Sequence, residues 1–141
     1  MKKSSHLLDV NVLLALAWPN HQFHSHAQAW FSKESKAGWA TCAVTQLGFL
    51  RLSSNPAFTP LAVSPAEAVA LLKVLCAHKH HAFLESGAPV KLTDLSTALG
   101  HKQITDAYLV SLASSCGHRL ATFDRRLVGL GVDSVAVLPT A

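Results

Sequence analysis

The segment His6-Leu7-Leu8-Asp9-Val10-Asn11-Val12-Leu13-Leu14-Ala15-Leu16 constrains the fold of this chain more than any other. Leu7 and Leu8 suit the end of a buried strand, and Val12 to Leu16 suit the opening of a buried helix. Asp9 stands at the junction. A carboxylate removed from water without compensation costs several kcal/mol, so Asp9 needs a metal, a cation or a proton beside it.

A chain of 141 residues has room for one domain, 1–141, around one sizeable core. Half of it is hydrophobic and 14% is charged, which excludes a disordered chain. The net charge of +4 favours a polyanionic partner. Acids are few, five Asp and three Glu, so an acid in an apolar context carries information. Cys42, Cys76 and Cys116 are odd in number and lack CxxC spacing, as reduced thiols of a cytoplasmic protein do. Lys2-Lys3 and the apolar run after them mimic a secretory signal, but Asp9 and Asn11 interrupt it. No apolar run approaches the roughly 20 residues of a membrane span, so no membrane partner is expected.

Downstream, Trp18-Pro19-Asn20 breaks the chain, and a helix is predicted near 22–36 with Phe23, Ala27, Trp30 and Phe31 as its apolar stripe. Gly38 ends it. A strand follows over 39–44, then a helix through Leu47, Phe49, Leu50 and Leu52 that Ser54-Asn55-Pro56 stops. Ser64-Pro65-Ala66-Glu67 is a capping box opening a helix to about Cys76. A short strand is expected at 81–85, a loop with one helical turn near Leu95 over 86–102, and a helix from Ile104 to Cys116 capped by Gly117. Leu120 to Phe123 reads as a strand, Arg125 to Val128 as a short helix, and Val135 to Leu138 as the last strand. Strands alternating with helices predict an α/β fold: a central parallel sheet with helices on both faces.

In such a sheet, ligands bind beyond the carboxyl ends of the strands. Asp9 and Asp124 both follow a predicted strand. Asp106 falls on the helix face shared by Leu109, Val110 and Ala113, opposite Ser111, Ser114 and Ser115. The helix dipole explains an Asp in the first turn, but not one that faces inward. Three carboxylates at one sheet edge raise one another's pKa unless a cation joins them, and oxygen donors select Mg²⁺ or Mn²⁺.

Four stretches carry a family resemblance: Leu7-Leu8-Asp9-Val10-Asn11-Val12-Leu13; Thr45 to Pro56, which contains Gln46-Leu47-Gly48-Phe49; Ile104-Thr105-Asp106-Ala107-Tyr108-Leu109; and Ala121-Thr122-Phe123-Asp124-Arg125-Arg126-Leu127. In this order and spacing the chain resembles the PIN-domain ribonucleases, especially the VapC-type toxins of bacterial toxin–antitoxin pairs. The resemblance implies a three-layer α/β/α PIN-like domain and a metal-dependent endoribonuclease, leaving 5′-phosphate and 3′-hydroxyl ends. Asp9, Asp106 and Asp124 fall on its acidic, metal-binding positions; Asn11 and Thr122 fall on polar positions beside them. It also implies a VapB-like antitoxin partner whose C-terminal segment crosses the acidic site, often offering an Arg, and homodimers are usual. The chain departs from the family at Gln46, where Glu is the rule; Gln keeps an oxygen but loses a charge, so metal affinity and activity should fall.

Blander readings exist for the same residues. Asp9 and Asp124 suit helix caps, and Gln46 suits a structural amide. His21-Gln22-Phe23-His24-Ser25-His26 and His78-Lys79-His80-His81 lack zinc-site spacing and read as solvated ends and loops. The scattered lysines read as surface, whereas Arg125 and Arg126, beside the acids, are candidates for RNA phosphates. Trp18, Trp30 and Trp39 read as core or interface residues. A non-cleaving module that binds RNA or antitoxin is the second functional reading. A receiver domain would want an acidic pair before the first Asp, and an aspartate-nucleophile phosphatase a second Asp where Asn11 stands; neither pattern is present.

Overall fold

The computed structural model describes residues 5–85, 91–96 and 98–140. Five parallel strands form one sheet in the order β3-β2-β1-β4-β5: β1 is Ser5–Leu8, β2 Trp39–Cys42, β3 His81–Leu84, β4 His118–Thr122 and β5 Val135–Val137. The helices are α1 Val10–Ala17, α2 His24–Glu34, α3 Ala43–Ser53, α4 Pro65–Cys76, α5 Leu92–Leu95 and α6 Ile104–Ser115.

Side chains alternate between the two faces, as the period of a strand requires. Leu8, Trp39 and Ala121 join the core under α1 to α4, which includes Val12, Leu13, Ala27, Phe49 and Leu72. Leu7, Ala40 and Leu120 join the other core with Leu109, Val110, Leu112 and Ala113 of α6. Thus β1 is apolar on both faces because both are covered, and the three-layer α/β/α arrangement expected from the sequence is present.

The first three strands step outward in one direction; the chain then crosses back past β1 to lay down β4 and β5. The strand order therefore reverses between β1 and β4. Such a reversal leaves a crevice beyond the carboxyl ends of the two strands, which is where Asp9 and Asp124 emerge.

Local chemistry sets several boundaries. Ser64 Oγ accepts from the Glu67 N–H at 3.1 Å, and the Glu67 carboxylate accepts from the Ser64 N–H at 3.2 Å, as the capping box predicts. Gly117 has φ 76, the left-handed turn expected after α6. Ala43 and Val44 belong to α3 rather than to the preceding strand, because Thr45 Oγ1 accepts from the Cys42 N–H at 3.0 Å and opens the helix there. The helix predicted near 22–36 is shorter, followed by a 3-10 turn over Ser35–Ala37, and Arg125–Leu130 is also 3-10 rather than α. Within the loop expected over 86–102, α5 and a 3-10 turn at His101–Gln103 form, and Ser111 of α6 donates to Asp94 of α5 at 2.7 Å. Residues 86–90 of that loop lie outside the described residues.

The histidine runs are partly structural rather than merely solvated. His24 Nδ1 meets the Ala15 carbonyl at 2.7 Å, and His78 Nδ1 accepts from Trp39 Nε1 at 3.2 Å. Trp39 is buried, and Trp30 packs edge-on against the ring of His6. No described helix is long and apolar enough to cross a membrane.

Gly48 of α3 lets α1 come close at the turn that follows Asp9. A Cβ at position 48 would stand 2.6 Å from Val10 Cγ2. Val10 is β-branched and helical, so its side chain has little room to rotate away. Gly48→Ala should lower stability by about 1–3 kcal/mol in urea unfolding, and adding Val10→Ala should recover most of the loss.

Candidate active site

Asp9 follows β1 directly and caps α1 with φ −64 and ψ 158. Its backbone N–H continues the sheet to the Ala121 carbonyl at 2.9 Å. Asp9 is 7% exposed. Oδ1 accepts from the Val10 N–H at 2.8 Å, and Oδ2 accepts from the Thr122 hydroxyl at 2.8 Å. One carboxylate thus caps α1 and ties it to β4.

Thr122, the last residue of β4, is fully buried. Its single hydroxyl hydrogen goes to Asp9, while its oxygen accepts from Asn11 Nδ2 at 3.1 Å and from the Asp124 N–H at 3.1 Å. That is one donor and two acceptors, the full capacity of a hydroxyl. Asn11 closes the frame by accepting from the Phe123 N–H at 3.2 Å. Phe123 stacks on Phe23, with ring centres 4.8 Å apart. The structure thus brings Asn11 and Thr122 to Asp9.

The three acids share one electrostatic environment. The Asp9 carboxyl is pushed up to about 6, chiefly by burial, with Asp106 and Asp124 adding to the rise and the hydrogen bonds from Thr122 and Val10 opposing it. Burial also raises Asp106, with Asp124 adding and Arg126 opposing. Asp106 is half-buried in the first turn of α6, with Leu109, Val110 and Ala113 buried along the same face. Asp124 goes the other way: the hydrogen bond from Arg126 holds it below the usual carboxylate range. Asp124 caps the 3-10 turn, and Arg126 engages both of its oxygens. Arg125 is exposed. Among the described residues no three His, Cys, Asp or Glu side chains converge as a ready-made metal cage. The donor chemistry still suits a hard cation, since the acids destabilise one another's charge and only oxygen ligands are offered.

Gln46 is not brought into the hydrogen bonds of this group. Its Nε2 donates to Thr41 Oγ1 at 3.0 Å and lies 3.9 Å from Cys76 Sγ. Thr41 is fully buried and meets His81 Nε2 at 2.8 Å. With Gln46 donating to its oxygen, the Thr41 hydroxyl keeps one hydrogen, which goes to the His81 ring in the tautomer that leaves Nε2 unprotonated. Burial lowers the His81 pKa, and the Cys76 carbonyl opposes that. Thr41 did not stand out in the sequence, and Cys76 and His81 did so only as a reduced thiol and as part of a histidine run; the three lie up to 40 residues apart, and no spacing pattern links them. A cavity of about 350 Å³, lined by Val44, Leu95, Ile104, Thr105 and Tyr108, opens at the turn of α6 that carries Asp106.

The fold and the acids near its switch point define an α/β class open to several chemistries, and comparison with known proteins places the chain within it. The PIN domain family matches residues 6–132, and the chain belongs to that family. Within it the chain is of the VapC type. It is 43% identical over 118 residues to "Ribonuclease VapC38" of Mycobacterium tuberculosis, covering 84% of each chain. It is 41% identical over 124 residues to "Ribonuclease VapC39" of the same organism, covering 86% of this chain and 89% of that one. A similar match to "Ribonuclease VapC44" is 41% identical, covering 86% and 87%.

Two outcomes follow from this geometry. The folded protein holds the Asp9 pKa near 6 against an ordinary 3.8, so it favours the protonated acid. That preference is fully present below pH 3.8 and is lost as pH rises through 6, which leaves the metal-free fold carrying a buried charge. Asp9→Asn should therefore stabilise the metal-free protein at pH 8 by up to about 3 kcal/mol, at about 1.4 kcal/mol per pKa unit, with a far smaller gain at pH 4, read from urea midpoints. Gln46→Glu should raise the His81 pKa, because a carboxylate would take the Thr41 hydrogen and leave the ring to supply one. An NMR titration of the His81 ring checks it, and an unchanged or lowered pKa counts against this bonding order.

Proposed function

We propose that this protein is a Mg²⁺- or Mn²⁺-dependent endoribonuclease, the toxin of a VapBC-type pair, hydrolysing RNA phosphodiester bonds in the cytoplasm. The observation that carries the reading is the Thr122-centred frame, which fixes Asp9 where Asp106 and Asp124 bear on its charge. The VapC relatives, named as ribonucleases, support the same reaction class.

Asp9, Asp106 and Asp124 would hold the ion, directly or through water. When bound, it supplies an acidified water and positive charge for the phosphoryl oxygens. Thr122 and the Val10 N–H keep the Asp9 carboxylate from turning away, so it meets its ligand already oriented. Asn11 holds the backbone at Phe123, next to Asp124, and so ties the second acid to the first. Burial favours the protonated form of Asp9, so protons compete with the ion for it and activity falls as pH is lowered. Arg125, exposed beside Asp124, is offered to an RNA phosphate. The VapB-like antitoxin and a homodimeric state belong to the same proposal, on the strength of the VapC relatives.

The position of Gln46 favours one further reading. Its amide is committed to Thr41 and adds no charge to the acids. A protein that binds RNA or antitoxin and cleaves slowly would have this arrangement. Comparing cleavage by the wild type and Gln46→Glu separates the readings: gain in the variant marks attenuation, and activity in neither removes the nuclease assignment. In the same assay Asp106→Asn should lose about 10²-fold or more of the Mg²⁺-dependent cleavage. Undiminished cleavage by that variant would sink the metal role of Asp106.

A further inference from the structure

Asp124 already has a cation. Arg126 Nε donates to Oδ1 at 3.0 Å and Nη2 donates to Oδ2 at 3.0 Å, while the Arg126 backbone N–H donates to Oδ1 at 3.0 Å. This is a two-pronged pairing of guanidinium and carboxylate, which uses both oxygens at once. The Arg126 side chain is 81% exposed and that of Asp124 24%, so the fork closes on the acid from the solvent side. Its charge also reaches Asp106. Arg125, one residue earlier and carrying the same charge, makes no ion pair among the described residues.

An entering divalent ion competes for the carboxylate oxygens that Arg126 now engages, and it is repelled by the guanidinium while that group stays. We propose that Arg126 is the resident counter-ion of the metal-free site, which a divalent cation must displace from Asp124. Displacement turns the guanidinium outward beside the site, where an RNA phosphate can take it. Metal and RNA are then linked through one side chain: whatever draws Arg126 off Asp124 eases metal entry, and metal entry frees Arg126 for phosphate. Linkage makes the two effects reciprocal. The inference rests on the proposed metal role of Asp124 and adds how access to it is regulated.

The test measures Mn²⁺ binding to the RNA-free protein by calorimetry at fixed ionic strength. Arg126→Gln should bind Mn²⁺ about three- to five-fold more tightly than wild type, the size expected for losing an exposed ion pair. Arg125→Gln removes the same formal charge without touching Asp124 and should stay within about two-fold of wild type. Equal tightening in both variants would mean bulk charge and overturn the counter-ion role. Unchanged or weaker binding in Arg126→Gln would overturn it too. A second readout is the ¹⁵N–¹H signal of Arg126 Nε, assigned by its absence from Arg126→Gln. It should shift on Mg²⁺ addition, and a signal that stays in place refutes displacement. Asp124→Asn tests the underlying reading separately: if it binds Mn²⁺ as well as wild type does, the metal role of Asp124 fails and this inference with it. If wild type and Asp124→Asn differ but Arg126→Gln matches wild type, the counter-ion role alone fails.

Discussion

One hydroxyl organises the site. Thr122 Oγ1 is donor to Asp9 and acceptor from Asn11 and from the Asp124 backbone. Those bonds join β1, α1 and β4 just past the carboxyl ends of the strands. Because the residue is fully buried, each bond forms away from competing water, and leaving any of its partners unpaired would carry a desolvation penalty. Asp9 and the backbone at Asp124 are therefore held by hydrogen-bond geometry rather than by charge.

The site is a balance between a fold that resists negative charge and residues that supply it. Burial makes Asp9 a reluctant anion, and its neighbours add to the reluctance. Asp124 escapes the same fate because Arg126 compensates it. Gln46 adds no charge here, and its amide faces Thr41 and Cys76. A metal-free protein with fewer ionised groups at this edge folds with less strain, and it also attracts a cation less strongly.

Much of this was legible in the residues. The capping box at Ser64 and Glu67, the left-handed Gly117, the inward face of Asp106 and the two-sided burial of Leu7 and Leu8 all depend on interactions within a few positions, where periodicity and capping operate. Element ends shifted where a single bond decided them, as Thr45 did by drawing Ala43 and Val44 into α3. The histidine runs could not be read correctly, since the partners of His24 and His78 are Ala15 and Trp39, from other elements.

The sequence by itself determined an α/β chain with acids after two strands and one on an inward helix face, because alternation and helical periodicity are local properties. Only the tertiary structure decided that β1 and β4 are neighbours, and so that Asp9 and Asp124 share a crevice. It alone joined Thr122 to Asp9 and Asn11, from the other end of the chain, and set His81 beside Thr41. The reason is range: side-chain hydrogen bonds and ion pairs act over about 3 Å, and which groups come within that distance is settled by how distant segments pack.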